Sequence, residues 1–156
     1  TALAYVNPIT LGTEQASTSG TNIDFSSIPA GVRRITVMFV GVSTNGNSGL
    51  MIQIGDSGGL ETSGYASMAG GVAGTESFRV SGLIGGADLL AGAYTLSLED
   101  SSDFTWVGGG NIYLDATATV HTAAGRKALS ATLDRLRVTT VAGDTFDAGA
   151  INISWE

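Results

Sequence analysis

The 156-residue sequence predicts an all-β domain, a sandwich or barrel of short strands. Short apolar runs alternate with a period of two, as half-buried strands do. Clusters of Gly, Ser, Thr, Asn and Asp separate these runs and supply turn chemistry. Helix signals are weak in a chain with 23 glycines.

The elements follow in order. Pro29-Ala30-Gly31 fits a single turn. Arg34 to Val42 is the clearest strand, with Ile35, Val37 and Phe39 on one face and Thr36, Met38 and Val40 on the other. Both faces are largely apolar, which predicts burial on both sides. Leu50 to Ile54 follows the Asn-Gly-containing loop Ser43 to Gly49, and the two strands suggest a hairpin. Further strands are expected at Tyr65 to Met68, Ser77 to Val80, Tyr94 to Leu98, Phe104 to Val107 and Ile112 to Thr119. Gly55 to Gly59 and Gly108-Gly109-Gly110 read as turns. Ala123 to Leu133 holds helix formers, but its Gly and Thr content leaves helix and strand both open. Arg135 to Val141 alternates Leu136 and Val138 against Arg135, Arg137 and Thr139, the pattern of a strand with one wet face. Ile151 to Trp155 is apolar enough to tie the C-terminal segment into a sheet.

Composition narrows the function. Cysteine is absent, which removes disulfides and thiolate metal sites. Charged residues are only 13% and the mean hydropathy is +0.25, yet no run approaches the roughly 20 apolar residues of a membrane helix. Surplus apolar surface spread over short strands points to coverage by copies of the same chain. The net charge is −7, and no Lys or Arg lies between Arg34 and Arg79 or between Arg79 and Arg126. Such a surface argues against nucleic acid and against stable membrane insertion or docking on anionic lipid. The chain starts at Thr1 without a Met, which fits a piece cut from something longer.

Catalytic signals are thin. Gly55-Asp56-Ser57-Gly58-Gly59 matches the string around the nucleophile of chymotrypsin-like serine proteases. The single histidine, His121, follows the serine instead of preceding it and lacks that family's flanking residues, so a tight turn is the better reading. Acidic residues gather at Glu99-Asp100 and Asp103, and at Asp144 and Asp147. Carboxylates roughly 5 to 9.5 Å apart hydrolyse glycosides, and loop oxygens bind Ca²⁺, but solvated turns explain these positions more simply. No catalytic residue, metal site or cofactor is therefore expected. Asn152-Ile153-Ser154 matches a glycosylation acceptor inside a buried strand, and Gly125-Arg126-Lys127 lacks the spacing of a phosphate loop.

The remaining candidates are aromatic. Tyr65, Tyr94 and Trp106 adjoin loops rich in Gly, Ser and Asp, and Asp103 sits beside Trp106. A ring that stacks on a sugar face, with a carboxylate for the hydroxyls, is how proteins hold carbohydrate. These four are the expected ligand-binding residues.

Two long stretches carry a family resemblance. One runs from Ile23 through Ile28-Pro29-Ala30-Gly31-Val32-Arg33-Arg34 to Phe39 and on to Gly41-Val42-Ser43-Thr44. The other runs from Leu129 to Val141 and through Thr145-Phe146-Asp147-Ala148-Gly149-Ala150-Ile151-Asn152-Ile153. Gln53-Ile54-Gly55 and Ser63-Gly64-Tyr65 fit between them, and residues 70–90 match least. Together they resemble the C-terminal knobs of tailed-bacteriophage tail needles and tail fibres, of the short-tailed enterobacterial type. The resemblance implies a homotrimer of jelly-roll β-sandwiches, similar to tumour-necrosis-factor-like domains, at the tail tip of a virion. It implies one knob domain over 1–156, with 1–22 as the connection to a shaft, and a host cell-surface component, such as a glycan, as partner. It implies no enzyme. A passive tip or plug that registers three chains is the alternative. The expected subunit contact is an outward apolar face at Met38, Val40 and Val42.

Overall fold

A computed structural model describes residues 9–156, which form two antiparallel sheets. The strands are β1 (Thr10–Leu11), β2 (Gln15–Ala16), β3 (Asn22–Phe25), β4 (Arg34–Thr44), β5 (Leu50–Asp56), β6 (Gly59–Leu60) and β7 (Ala66–Ala69). They continue with β8 (Val72–Gly74), β9 (Phe78–Arg79), β10 (Leu90–Asp100), β11 (Thr105–Leu114), β12 (Thr119–Ala128), β13 (Arg135–Thr140) and β14 (Phe146–Trp155). The large sheet runs β1-β14-β4-β10-β11-β12-β7-β8, with β2 also on β14. The small sheet runs β3-β13-β5, and both β6 and β9 lie on the far edge of β5. The predicted all-β sandwich is present.

Period-two alternation builds the core between the sheets. Ile35, Val37, Phe39, Leu96, Ile112, Ile151 and Ile153 point inward from the large sheet. Ile23, Phe25, Ile52, Ile54, Leu136 and Val138 meet them from the small one. On β13 Arg135 and Arg137 lie on the wetter face as expected, whereas Thr139 is buried with its hydroxyl on the Thr21 carbonyl; Arg137 forks onto Asp24 of β3 through bonds of 2.6 and 2.8 Å.

Several expectations are corrected. The strand buried throughout is β5, not β4, whose outer residues Thr36 and Met38 are only half-buried. β4 and β5 do not form a hairpin. The Ser43 to Gly49 loop carries the chain from the large sheet to the small one, held by Asn45 N–H to the Thr145 carbonyl and Thr145 N–H to Asn45 Oδ1, both 2.9 Å. Ala123 to Leu133 is not helical: its first part is β12 and the rest is loop. Gly108-Gly109-Gly110 lies inside β11, not in a turn. Of the expected connector, β1, β2 and Asn22 are stitched into the sheets, and residues 1–8 lie outside the described residues.

A bulge at Val40-Gly41 decides which side chains reach the surface. Phe39 pairs with Gly92 and Val42 with Leu90, so β4 spends one residue more than β10. The same offset recurs against β14, where Val40 pairs with Ala150 and Ser43 with Ala148. Gly41 (φ +61°) and Gly149 (φ +88°) face each other there in the left-handed region. The extra residue reverses the alternation, so Val40 stays outside while Val42 turns into the core.

Candidate functional site

The four expected ligand residues do not converge. Tyr65 is buried, its hydroxyl accepting the Ile54 N–H (2.9 Å) and donating to the Glu61 carbonyl (2.8 Å), and its ring stands edge-on to Phe78. Tyr94 is 0% exposed and its hydroxyl has no partner among the described residues. Burial pushes both phenols above their ordinary pKa. Trp106 is 2% exposed, and its indole N–H is likewise unpartnered. Only Asp103 is on the surface, where its carboxylate accepts the Thr105 N–H (3.0 Å) and closes the β10–β11 turn. The alternation of β10 and β11, not the polarity of nearby loops, sets these positions. Tyr94 shares a face with Leu90 and Leu96, and Trp106 shares one with Ile112 and Leu114.

Trp106 nevertheless reaches a pocket at one end of the sandwich. It has a volume of about 170 Å³. Val32, Leu98, Phe104, Trp106 and Leu133 supply apolar walls, and Arg33, Ser101 and Thr132 supply polar groups. The backbone of Arg33 is bolted in place: its carbonyl accepts the Leu98 N–H and its N–H donates to the Glu156 carbonyl, both at 2.8 Å. Phe104 has φ +56°, a conformation an aromatic residue seldom adopts and one that marks a turn held by its surroundings. Asp100 holds the same turn through the Ser102 N–H (2.7 Å) and hydroxyl (2.6 Å), bonds that keep its pKa below the ordinary carboxylate range. Arg33 and Leu133 were missed as site residues because nothing in their local sequence links them to Trp106.

The other motifs resolve into structural roles. Ser57 and Gly58 are the exposed tip of the β5–β6 hairpin. Asp56 accepts the Ser130 hydroxyl (2.6 Å) and the Gly58 N–H (2.8 Å), which lower its pKa and tie this turn to the β12–β13 loop. His121 Nδ1 accepts the Gly82 N–H at 3.1 Å. Asp144 accepts the Ser48 N–H (2.9 Å), and Asp147 accepts from the Ser43 hydroxyl. Arg79, Lys127 and Asp88 are buried charges that the sequence pattern does not mark. Lys127 is buried in an ion pair with Glu61, its Nζ 5.3 Å from the Tyr65 ring centroid. Burial pushes the Glu61 pKa up, but Lys127 and the Ser130 N–H outweigh it and hold the carboxyl low. Asp88, wholly buried, accepts the Gly85 N–H (2.7 Å), the Thr117 N–H (3.0 Å) and the Thr117 hydroxyl (3.2 Å). Among the described residues no three His, Cys, Asp or Glu side chains gather in a metal-holding group, and no helix is long and apolar enough to cross a membrane.

The outer face of the large sheet is the second candidate surface. Strand register arranges it in rows. One row is Asn152, Met38, Ala93, Asn111 and Thr122, and the next is Ser154, Thr36, Thr95, Gly109, Ala124 and Met68. A third holds Ala91, Tyr113 and Val120, with Val40 (65% exposed) nearby on β4. None of these residues carries a formal charge at neutral pH, in a chain of net charge −7. Charge returns at the margin, at Arg34 and Arg126. Met38 and Val40 belong to this face, as expected; Val42 does not, for the bulge turns it inward.

No protein-family model matches the chain, and no curated protein sequence does. Among solved structures the chain is similar to CG-16, a homodimeric agglutinin from chicken liver, at 10% identity and a TM-score of 0.39, over 85% of this chain and 98% of that one. It is also similar to a legume lectin-like domain from Entamoeba histolytica, at 8% identity and a TM-score of 0.30, over 95% of this chain and 85% of that one.

Proposed function

We propose that this domain is a non-enzymatic recognition knob at the tip of a tailed-phage needle or fibre. Three copies assemble as jelly rolls, and the loop ends contact the host cell surface, with a glycan as the partner. The observation that carries the reading is the uncharged outer face of the large sheet. An anionic molecule meets its own copies at least cost where both surfaces are neutral. Strands about 4.8 Å apart and residue rows about 6.8 Å apart give this face an area on the order of 600 Å². That approaches the roughly 800 Å² each partner contributes to a standard interface.

Strand order supports the jelly-roll architecture. β2-β14-β4-β10 faces β3-β13-β5-β9, and along these eight strands the chain passes between the sheets at every step but β5 to β9, the interleaved order of a jelly roll. β11 and β12 extend the large sheet between β10 and β13 and broaden its outer face. The family resemblance supplies the biological setting. The end pocket, at the end of the sandwich where β1 meets Trp155 and Arg33 meets Glu156, gathers polar and apolar groups around one space and supports recognition over a passive role.

Sedimentation velocity and a glycan array test both halves. The expected results are a particle of three times the 15.8 kDa chain mass and saturable binding to a bacterial surface glycan. A monomer at micromolar concentration refutes the assembly. Absence of binding to any envelope glycan by an intact trimer refutes the recognition role.

A further inference from the structure

We infer that the end pocket holds a six-membered ring bearing a carboxylate, the acidic unit of a surface polysaccharide. This inference rests on the reading of the domain as a recognition knob and names the chemistry of one of its sites.

Size comes first. Cavities of about 150 Å³ accept benzene, so a pocket of about 170 Å³ takes one ring and little more. The walls come next. Val32, Leu98, Phe104, Leu133 and the Trp106 indole offer apolar surface to a ring face. The indole of Trp106 lies in the wall of the pocket, and its N–H is buried without a partner among the described residues, so its signal reports on what fills the space beside it.

Charge then selects the substituent. Arg33 is the one cation among the lining residues; it is exposed and, like Arg126 and unlike the other five cations of the chain, makes no ion pair among the described residues. The planar fork of a guanidinium beside the apolar walls matches a carboxylate, and no carboxylate of the described residues competes for it as an ion pair. Its backbone is fixed at both N–H and carbonyl, which limits the entropy lost on binding. Asp100 and Asp103 lie in the neighbouring turn but do not line the pocket, and each is occupied by groups of that turn.

Nitrogen-15 NMR tests the inference with D-glucuronate, D-glucose and benzoate. The chain has two tryptophans, and Trp155, outside this pocket, serves as an internal control. Glucuronate should shift the Trp106 indole signal saturably and leave Trp155 still. It should bind at least about tenfold tighter than glucose, the ratio a charge-assisted hydrogen bond supplies. Arg33→Gln should remove that advantage while the rest of the spectrum is unchanged. Tighter binding of glucuronate than benzoate identifies the source as a sugar acid; the reverse order replaces it with an aromatic acid and overturns the polysaccharide assignment. Equal binding of glucose and glucuronate, or no shift of Trp106 at tens of millimolar, overturns the inference. If the pocket fails while the trimer still binds a glycan array, the recognition role stands without this site; if both fail, that role falls too.

Discussion

Thr95→Glu places a carboxylate on the uncharged face, in the row next to the one that carries Arg34 and Arg126. Thr95 lies between Thr36 of β4 and Gly109 of β11, with charge absent along the whole row. In the isolated subunit the substitution is mild. Thr95 points away from the core, and its one side-chain partner, the Thr36 hydroxyl at 3.4 Å, is long for a hydrogen bond. The loss in subunit stability should be within about 1 kcal/mol. Assembly is another matter. Covering an unpaired carboxylate costs several kcal/mol, so even 3 kcal/mol per contact weakens association more than about 100-fold. A trimer would bury three such groups. Sedimentation velocity across a dilution series reads the assembly, and chemical denaturation with tryptophan fluorescence reads the subunit. Thr95→Ser should keep both properties. A Thr95→Glu protein that stays assembled at wild-type dilution refutes this face as the contact, and one that unfolds refutes the outward, unburdened placement of Thr95.

Other consequences follow from the core. Tyr94→Phe removes a buried hydroxyl without a partner and should stabilise the fold by about 1 kcal/mol, raising Tm by roughly 2–4 °C in a calorimetric scan. Gly108→Ala should do the opposite by about 1–3 kcal/mol, since its Cβ would stand 2.5 Å from the Tyr94 ring, and combination with a smaller residue at position 94 should rescue it. Burial raises the Asp88 pKa, but three hydrogen bonds outweigh it and leave the group below its ordinary value. Its contribution is therefore complete above about pH 4 and lost as pH falls through the depressed value. Asp88→Asn should lower stability near neutrality and flatten the acid limb of a stability–pH curve; an unchanged limb refutes the assignment.

The fold was legible wherever alternation met a core. Ile35, Val37 and Phe39, Leu136 and Val138, and Ile151 and Ile153 all point where period two puts them. It failed where glycine and alanine carry no pattern. Gly108 and Gly110 look like a turn, yet Gly108 is small because the ring of Tyr94, which pairs with Gly110 on the neighbouring strand, lies against it. Ala123-Ala124-Gly125 resembles helix, yet it is a strand because β7 and β11 pair with it on both sides. Apolar spacing puts Val42 outward because a bulge leaves no mark on it; only the left-handed backbone of Gly41 and Gly149 reveals it. Tyr65, Tyr94 and Trp106 were drawn to the site by polar neighbours in sequence, which do not determine the face a side chain takes.

The small residues that hid the strands also explain how one sheet serves two purposes. Ala91, Ala93, Thr95, Gly109 and Ala124 leave much of the outer face low, with Met38, Met68 and Tyr113 as its long side chains, so few rotamers are lost on contact. A surface of Lys and Glu would keep copies apart by hydration and repulsion, and one of Leu and Phe would aggregate without register. A small, hydroxyl-rich face avoids both outcomes, since its weak attraction per residue demands close fit over the whole area before association is stable. Three shafts wound together, as the proposed setting provides, would raise the local concentration of the knobs and lower the affinity this face must supply. The isolated domain should then dissociate on dilution more readily than the same domain fused to a trimeric coiled coil. Equal resistance to dilution would mean that the knob, rather than the shaft, sets the oligomer.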